Sequence, residues 1–214
     1  MDLDTLAEDE QFPLLWQMSL VEKLTLTAIL RRLRPQLALE IGTYEGGSLQ
    51  VLSTYSQAVI SLDINPAVAE KLDGRFSNAE FRSGTSVHLL PDLVASFNRA
   101  GKTPQFVLID GDHSTEGVRR DIESLLALKP VNDVVVILHD SFNPDCRAGM
   151  TSANWSSSPH VHAVEIDFVP GEFFQEPCGT VPAGSMWGGI RMRVAEAGAA
   201  PRSVGDQAVG AEGF

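Results

Sequence analysis

Short apolar runs alternate with longer amphipathic stretches as far as Asp140. LALEI (37–41), AVISLDI (58–64), QFVLID (105–110) and DVVVILHD (133–140) have the length and apolar content of buried strands, and AEFRSG (79–84) is a weaker third in the series. Between them the spacing turns helical. Apolar residues recur at Leu20, Leu24, Ala28, Leu30 and Leu33, which predicts a helix over 13–34 ended by Pro35. GGSLQVLSTYS reads as a helix, Asn65-Pro66 opens another, and SVHLLPDLVASFNRA (86–100) is a third despite Pro91. STEGVRRDIESLLAL (114–128) follows, with Ser114 or Thr115 as its N-cap. Strands alternating with helices predict βαβ units and an α/β fold, its parallel sheet covered on both faces.

After Asp140 the rhythm changes. Residues 141–160 are polar, with Asn, Ser, Pro and a lone Trp155, and predict no element. HAVEIDFVPG (162–171) and SMWGGIRMRV (185–194) predict two more strands with no helix between them, a closing hairpin with one antiparallel strand. Residues 1–12 are acidic and expected to be loose; residues 195–214 are rich in Ala and Gly and expected to be disordered. The chain thus divides into an acidic segment and helix (1–35), one folded domain (36–194) and a tail (195–214), without internal repeats.

Composition narrows the class of function. A length of 214 residues with 43% hydrophobic content suits one full core. The net charge is −12, and no basic cluster is longer than Arg31-Arg32, which argues against nucleic acid or anionic lipid as a partner. No apolar run approaches the roughly 20 residues that span a membrane. The acidic N-terminus lacks a secretion pattern, so a cytoplasmic protein is expected, with Cys146 and Cys178 as free thiols.

Ligands of open α/β sheets bind beyond the C-terminal strand ends, and unusual residues gather there. The first strand runs into LEIGTYEGGSL, where Gly42, Gly46 and Gly47 allow close backbone approach and open a helix. The spacing is not G-x-G-x-x-G, so the dinucleotide fingerprint fails. Glu40 would oppose a pyrophosphate but attract a cation such as the ammonium and sulfonium of S-adenosylmethionine. Asp63, ending the second strand, is placed to accept hydrogen bonds from a ribose diol. The plainer alternative is an ordinary strand-to-helix turn.

LEIGTYEGGSL, VISLDINP, FRSGTS, FVLIDGDHS and VVVILHDS together resemble the Rossmann-type S-adenosylmethionine-dependent methyltransferases over about 36–194. The chain is most similar to the metal-assisted small-molecule O-methyltransferases: the catechol type, and the group of macrolide-sugar O-methyltransferases and cephalosporin-hydroxylase-like proteins. The resemblance implies a single Rossmann-like domain with seven strands, mostly parallel, and an antiparallel last strand. It also implies that Glu40, Gly42 and Tyr44 line the methionine end of the cofactor with Gly46 and Ser48 beside them. Asp63 and Ile64 would meet the ribose, and Gly84, Thr85 and Ser86 would border the adenine; Asp110 is counted with them.

Asp110 and Asp140 end the fourth and fifth strands. Neighbouring strands lie about 4.8 Å apart, so the two carboxylates can share a divalent cation if the strands are adjacent. Oxygen ligands favour Mg²⁺, with Mn²⁺ as the next choice. The resemblance supports this pair and leaves the third ligand open. Catechol-type enzymes have Asp-Asn where this chain has Asp140-Ser141, and macrolide-sugar enzymes have Glu-Asp where it has His139-Asp140. His113 stands at the offset of the family's general base, and a neutral imidazole can take a proton from a hydroxyl near neutral pH. Capping roles for Asp110, Asp140 and His113 are the alternative, and Asp112 is either a neighbour of the site or solvated.

Other candidates are weaker. Trp155, Trp187 and Phe142 can form an apolar acceptor pocket, with Trp187 better suited to the core. Arg147 can meet an acidic group of a substrate or a surface carboxylate. His88, His160 and His162 suggest no definite role. The expected function is divalent-metal-assisted O-methylation of a small hydroxylated acceptor, a natural product or sugar, with S-adenosylmethionine as donor. N-methylation is a close variant; an NAD(P)-linked oxidoreductase and a non-catalytic cofactor-binding accessory protein are the competing classes. A homodimer is expected, because the N-terminal segment is short for a complete lid.

Overall fold

The computed structural model describes residues 12–174 and 183–192, with side chains described as far as Asp167. In chain order the elements are α1 (Leu20–Leu33), β1 (Leu37–Ile41), α2 (Gly47–Tyr55), β2 (Ala58–Asp63), α3 (Pro66–Leu72), β3 (Ala79–Ser83), α4 (Ser86–Ala100) and β4 (Phe106–Ile109). Then come α5 (Thr115–Leu126), β5 (Val134–Leu138), α6 (Pro144–Ser152), a 3₁₀ turn (Trp155–Ser157), β6 (Val161–Phe174) and β7 (Ala183–Met192).

The strand order is β3-β2-β1-β4-β5-β7-β6. The first five strands are parallel, a Rossmann-like α/β arrangement. β7 lies antiparallel to β5, with Val136 opposite Ile190, and β6 pairs antiparallel to β7. Alternation along the strands divides the core. Leu39, Ile41, Val107, Ile109, Val136 and Leu138 face one cluster with Leu93, Val94 and Phe97 of α4 and Ile122 and Leu125 of α5. Ala38, Val59, Phe106, Leu108 and Ile137 face the other, against Leu26 and Leu30 of α1, Leu49 and Leu52 of α2, and Leu72 of α3. Both faces are therefore apolar, which is why the strands read as continuous hydrophobic runs. The chain proceeds from β1 to β2 on one side and reaches β4 on the other, so the β1–β4 boundary is the crevice where such sheets bind ligands.

Expectations for the segments before β1 and after β5 are corrected. The first helix begins at Leu20, not Pro13: Ser19 is extended, its side chain accepts from the Glu22 N–H, and Glu22 reaches back to the Ser19 N–H in a capping box. The residues before it run across α2 instead. The Gln50 side chain holds both backbone groups of Leu14, at 2.9 and 3.1 Å, and Phe12, expected to be loose, is buried against Trp16 and Tyr55. The polar stretch after Asp140 holds a helix, α6, with Asn143 as N-cap and Pro144 in its first turn; it buries Cys146, Gly149 and Met150. Trp155 is a core residue whose indole N–H donates to the Met150 carbonyl at 2.9 Å, so it is not a wall of an acceptor pocket.

Cys146 is a free, buried thiol. The expectations for Cys178, for the N-terminal residues 1–11 and for the tail 195–214 lie outside the described residues, as does the Trp187 side chain. Among the described residues, no helix is long and apolar enough to cross a membrane.

Candidate active site

The turn after β1 is packed directly on the end of β4. Gly42 has φ +93°, and a Cβ there would fall 1.9 Å from the Asp110 carbonyl oxygen. Asp63, at the end of β2, fastens the same turn: its Oδ2 accepts from the Thr43 and Tyr44 N–H groups at 3.1 and 2.9 Å, and its Oδ1 from Asn65 N–H at 2.8 Å. Gly47 opens α2 beneath the N-terminal segment, where a Cβ would meet the Leu15 carbonyl oxygen at 2.3 Å.

These contacts frame a cavity of about 520 Å³ beyond the strand ends, within the usual range for small-molecule sites. Of the residues expected at the cofactor, Gly42, Tyr44, Ser48, Asp63, Ile64, Gly84, Thr85, Ser86 and Asp110 border it. Glu40 and Gly46 do not. Glu40 is fully buried beneath the cavity floor, accepting from Ser48 Oγ at 2.5 Å and Ser61 Oγ at 2.7 Å. Burial pushes its carboxyl up to about 7, against the pull of those two bonds. Glu40 thus meets the cavity through Ser48, which borders it and donates to the buried carboxylate. Sequence reasoning missed Leu15, Trp16, Gln17 and Met18, which wall the same cavity; Pro13 and the S-x-x-E capping signal were the cues that these residues precede the helix.

The other half of the site is the edge after β4 and β5, where Ile109 and Leu138 are in register. Asp110 and His139-Asp140 follow, and Asp140 sits at φ 56°, a conformation that is sparsely populated outside glycine. His139 Nδ1 lies 3.1 Å from Asp110 Oδ1 and 3.2 Å from Asp140 Oδ1. His113 Nε2 lies 3.3 Å from Asp110 Oδ1 and 3.5 Å from Asp140 Oδ2. On its far side, His139 Nε2 is 3.3 Å from Oε1 of Glu22, a buried carboxylate on α1 that sequence reasoning did not place here.

Charge in this cluster is mutually stabilised. Burial works to raise the Asp110 pKa, but the His139 charge and the bonds from both imidazoles outweigh it and hold the carboxyl below its ordinary value. Burial likewise opposes charge on His139, yet the carboxylates of Asp110, Asp140 and Glu22 raise its pKa well above the ordinary value. His113 is raised chiefly by its bond to Asp110. Donor atoms of Asp110, His139 and Asp140 all lie within 4.8 Å of one another, a spacing and donor set that fit a divalent cation.

The remaining candidates separate from the site. Asp112 borders the cavity and accepts from Ser114 N–H at 2.9 Å, while Ser114 caps α5 by accepting from Gly117 N–H at 3.0 Å. Arg147 forms a two-pronged pair with Asp167 at 2.7 and 3.1 Å, the surface-carboxylate role. Ser141 is fully buried, His88 is exposed beside Thr85, and His162 is exposed on β6. Asp121 of α5 is a buried acid unseen in the sequence; burial raises it to about 6, offset by the neighbouring Ser86.

A family model described as a methyltransferase domain matches residues 39–141, the segment that holds the glycine turn, Asp63, Asp110, His113 and His139-Asp140. No curated protein matches the chain. Among solved structures, cofactor-bound Rv0187 from MTB is similar at 19% identity and TM-score 0.60, over 91% of this chain and 89% of that one. An O-methyltransferase from Bacillus cereus, in complex with SAH, is 16% identical with TM-score 0.55, over 89% of this chain and 88% of that one. The N-methyltransferase NodS from Bradyrhizobium japonicum is 12% identical with TM-score 0.50, over 80% of this chain and 95% of that one.

Proposed function

We propose that the chain, whose residues 39–141 match a family model described as a methyltransferase domain, is an S-adenosylmethionine-dependent enzyme that methylates a hydroxyl of a small acceptor, a natural product or sugar, at the edge formed by Asp110, His113 and Asp140. The observation that carries this reading is the place of His113. Its imidazole borders the cavity while standing within 3.3 Å of Asp110 and 3.5 Å of Asp140.

In this reading Asp63 accepts from the ribose diol, Ser48 and the Gly42–Tyr44 turn hold the methionine end above Glu40, and Thr85 and Ser86 border the adenine. Bound S-adenosylmethionine supplies a methyl carbon on a positively charged sulfur that leaves as a neutral thioether. His113 in its neutral form takes the proton from the acceptor hydroxyl, and the freed oxygen pair forms the new C–O bond as the C–S bond breaks. Holding both reactants in line supplies much of the acceleration. Asp110, Asp140 and His139 would hold a divalent cation, Mg²⁺ or Mn²⁺, whose chemistry is to make an adjacent hydroxyl more acidic. We take the full domain to be the seven-stranded sheet with β7 antiparallel, supported by the β5–β7 backbone pairing.

The test compares melting temperatures with S-adenosylhomocysteine and with NAD(P), then methyl transfer to a panel of hydroxylated and amine acceptors. A ligand that binds only the folded state raises the melting temperature, so stabilisation by S-adenosylhomocysteine alone and transfer to oxygen are the expected results. Stabilisation by NAD(P) instead, or transfer confined to nitrogen, would overturn the oxygen-transfer reading.

A further inference from the structure

One side chain of α1 reaches the acid–histidine edge from behind. Glu22 is fully buried, and its two oxygens face two different structures. Oε2 accepts from Ser19 N–H at 2.7 Å and closes the capping box of α1. Oε1 lies 3.3 Å from Nε2 of His139, whose Nδ1 faces Asp110 Oδ1 and Asp140 Oδ1 at 3.1 and 3.2 Å.

A carboxylate at one ring nitrogen decides which nitrogen keeps the proton and fixes the plane of the ring. We propose that Glu22 is a positioning residue for a cation site that contains nitrogen: it holds the Nε2 proton of His139, so that Nδ1, between the carboxylates of Asp110 and Asp140, becomes a ligand when the cation displaces its proton to solvent. The inference rests on the reading of Asp110, His139 and Asp140 as a cation site. An imidazole among two carboxylates shifts preference from Mg²⁺ towards Mn²⁺, Fe²⁺ or Zn²⁺. It also joins the ion to the cavity wall, because the segment Leu15–Met18 enters α1 through the cap that the same carboxylate closes.

The probe is Mn²⁺, added to the full chain without cofactor or acceptor. Free and bound ion are separated by electron paramagnetic resonance, and nitrogen coupling to the bound ion is read by pulsed methods. Wild type, Glu22→Gln, Ser19→Ala and Asp110→Asn are compared, with thermal melting to establish folding. Glutamine is tolerated at the third helical position of a capping box, but its one amide oxygen cannot accept from both Ser19 and His139. Wild type is expected to show nitrogen coupling, and Glu22→Gln to bind Mn²⁺ about 10–100-fold more weakly with that coupling lost or altered. Ser19→Ala, which removes the cap and leaves the Glu22–His139 contact, is expected to lower the melting temperature and keep the Mn²⁺ affinity.

The two ways to fail are distinct. Mn²⁺ binding that is absent in wild type, or unchanged in Asp110→Asn, would sink the cation site itself. Binding that depends on Asp110 but shows no nitrogen coupling in wild type, or an affinity and coupling unchanged in Glu22→Gln, would sink the role of Glu22 alone. Absence of nitrogen coupling in the wild type overturns the role of Glu22 even if Glu22→Gln does not fold.

Discussion

Gly42 and Asp110 join the two halves of the site, because the Gly42 Cα stands against the Asp110 carbonyl with no room for a Cβ. Gly42→Ala combines that overlap with a left-handed φ, which alone costs about 1–2 kcal/mol. The melting temperature is expected to fall by at least ~4 °C, at about 2–4 °C per kcal/mol for a chain of this size. S-Adenosylhomocysteine affinity should fall with it. Differential scanning fluorimetry and calorimetric titration check both; an Ala variant with unchanged melting and binding would mean the turn and the acid edge are not coupled.

His113 borders the cavity, and its Nε2 faces Asp110 Oδ1 at 3.3 Å. His113→Ala is expected to lower kcat about 100-fold or more, the usual scale of acid–base catalysis. Cofactor affinity should stay within a factor of two to three, on the order of the context-dependence of single contacts, ~0.5 kcal/mol. Steady-state kinetics beside a binding titration separate the two effects. Equal losses in kcat and binding would assign His113 to structure instead.

The buried Glu40 gives a pH signature. Its folded pKa, about 7, lies above the ordinary 4.5, so the folded state holds a proton that the unfolded chain has already released between those values. The contribution is fully present below pH 4.5 and is lost as pH rises through 7, in total on the order of 3 kcal/mol. The stability of wild type relative to Glu40→Gln, from urea melts at several pH values, is expected to decline across that window. Cationic cofactor favours the ionised form, so binding at pH 6–7 should release protons, measurable by calorimetry in buffers of different ionisation enthalpy. A difference flat with pH would show that Glu40 titrates normally.

Gly47→Ala sets two forces against each other. Alanine in a helix is favoured over glycine by about 1 kcal/mol, yet the new Cβ would meet the Leu15 carbonyl at 2.3 Å. The expected outcome is displacement of residues 12–18, with faster proteolysis there and weaker cofactor binding. Unchanged proteolysis with higher stability would mean that the segment does not wall the cavity as described.

Much of this arrangement was legible in the sequence for physical reasons. β1, β2, β4 and β5 are apolar on both faces, so their runs stood out, and the acidic or glycine residue at each end marked the ligand edge. α6 was hidden because its buried face is made of Cys146, Gly149 and Met150, too small and too few to give a periodic signal. The start of α1 was misjudged because residues 12–18, apolar except for Gln17, continue its composition while serving a different surface. Glu22 was invisible in its second role. An acid in the first turn of a helix is expected to cap it, and nothing in the spacing says that its other oxygen faces a histidine more than 100 positions later. Glu40 was read correctly as an unusual acid, but its distance from the cavity surface depends on Ser48 and Ser61, which only the β1–β2 register brings beside it.

The central claim is methyl transfer to oxygen at the His113 edge. The most direct test is one turnover of the wild-type chain, with and without added Mg²⁺ or Mn²⁺, using S-adenosylmethionine that carries a trideuteromethyl group and a pool of hydroxylated small molecules, followed by mass spectrometry. The expected result is an oxygen-linked trideuteromethyl product formed in step with S-adenosylhomocysteine, and strongly reduced in His113→Ala. Tight binding of S-adenosylhomocysteine with no labelled product from wild type under any of these conditions would contradict it.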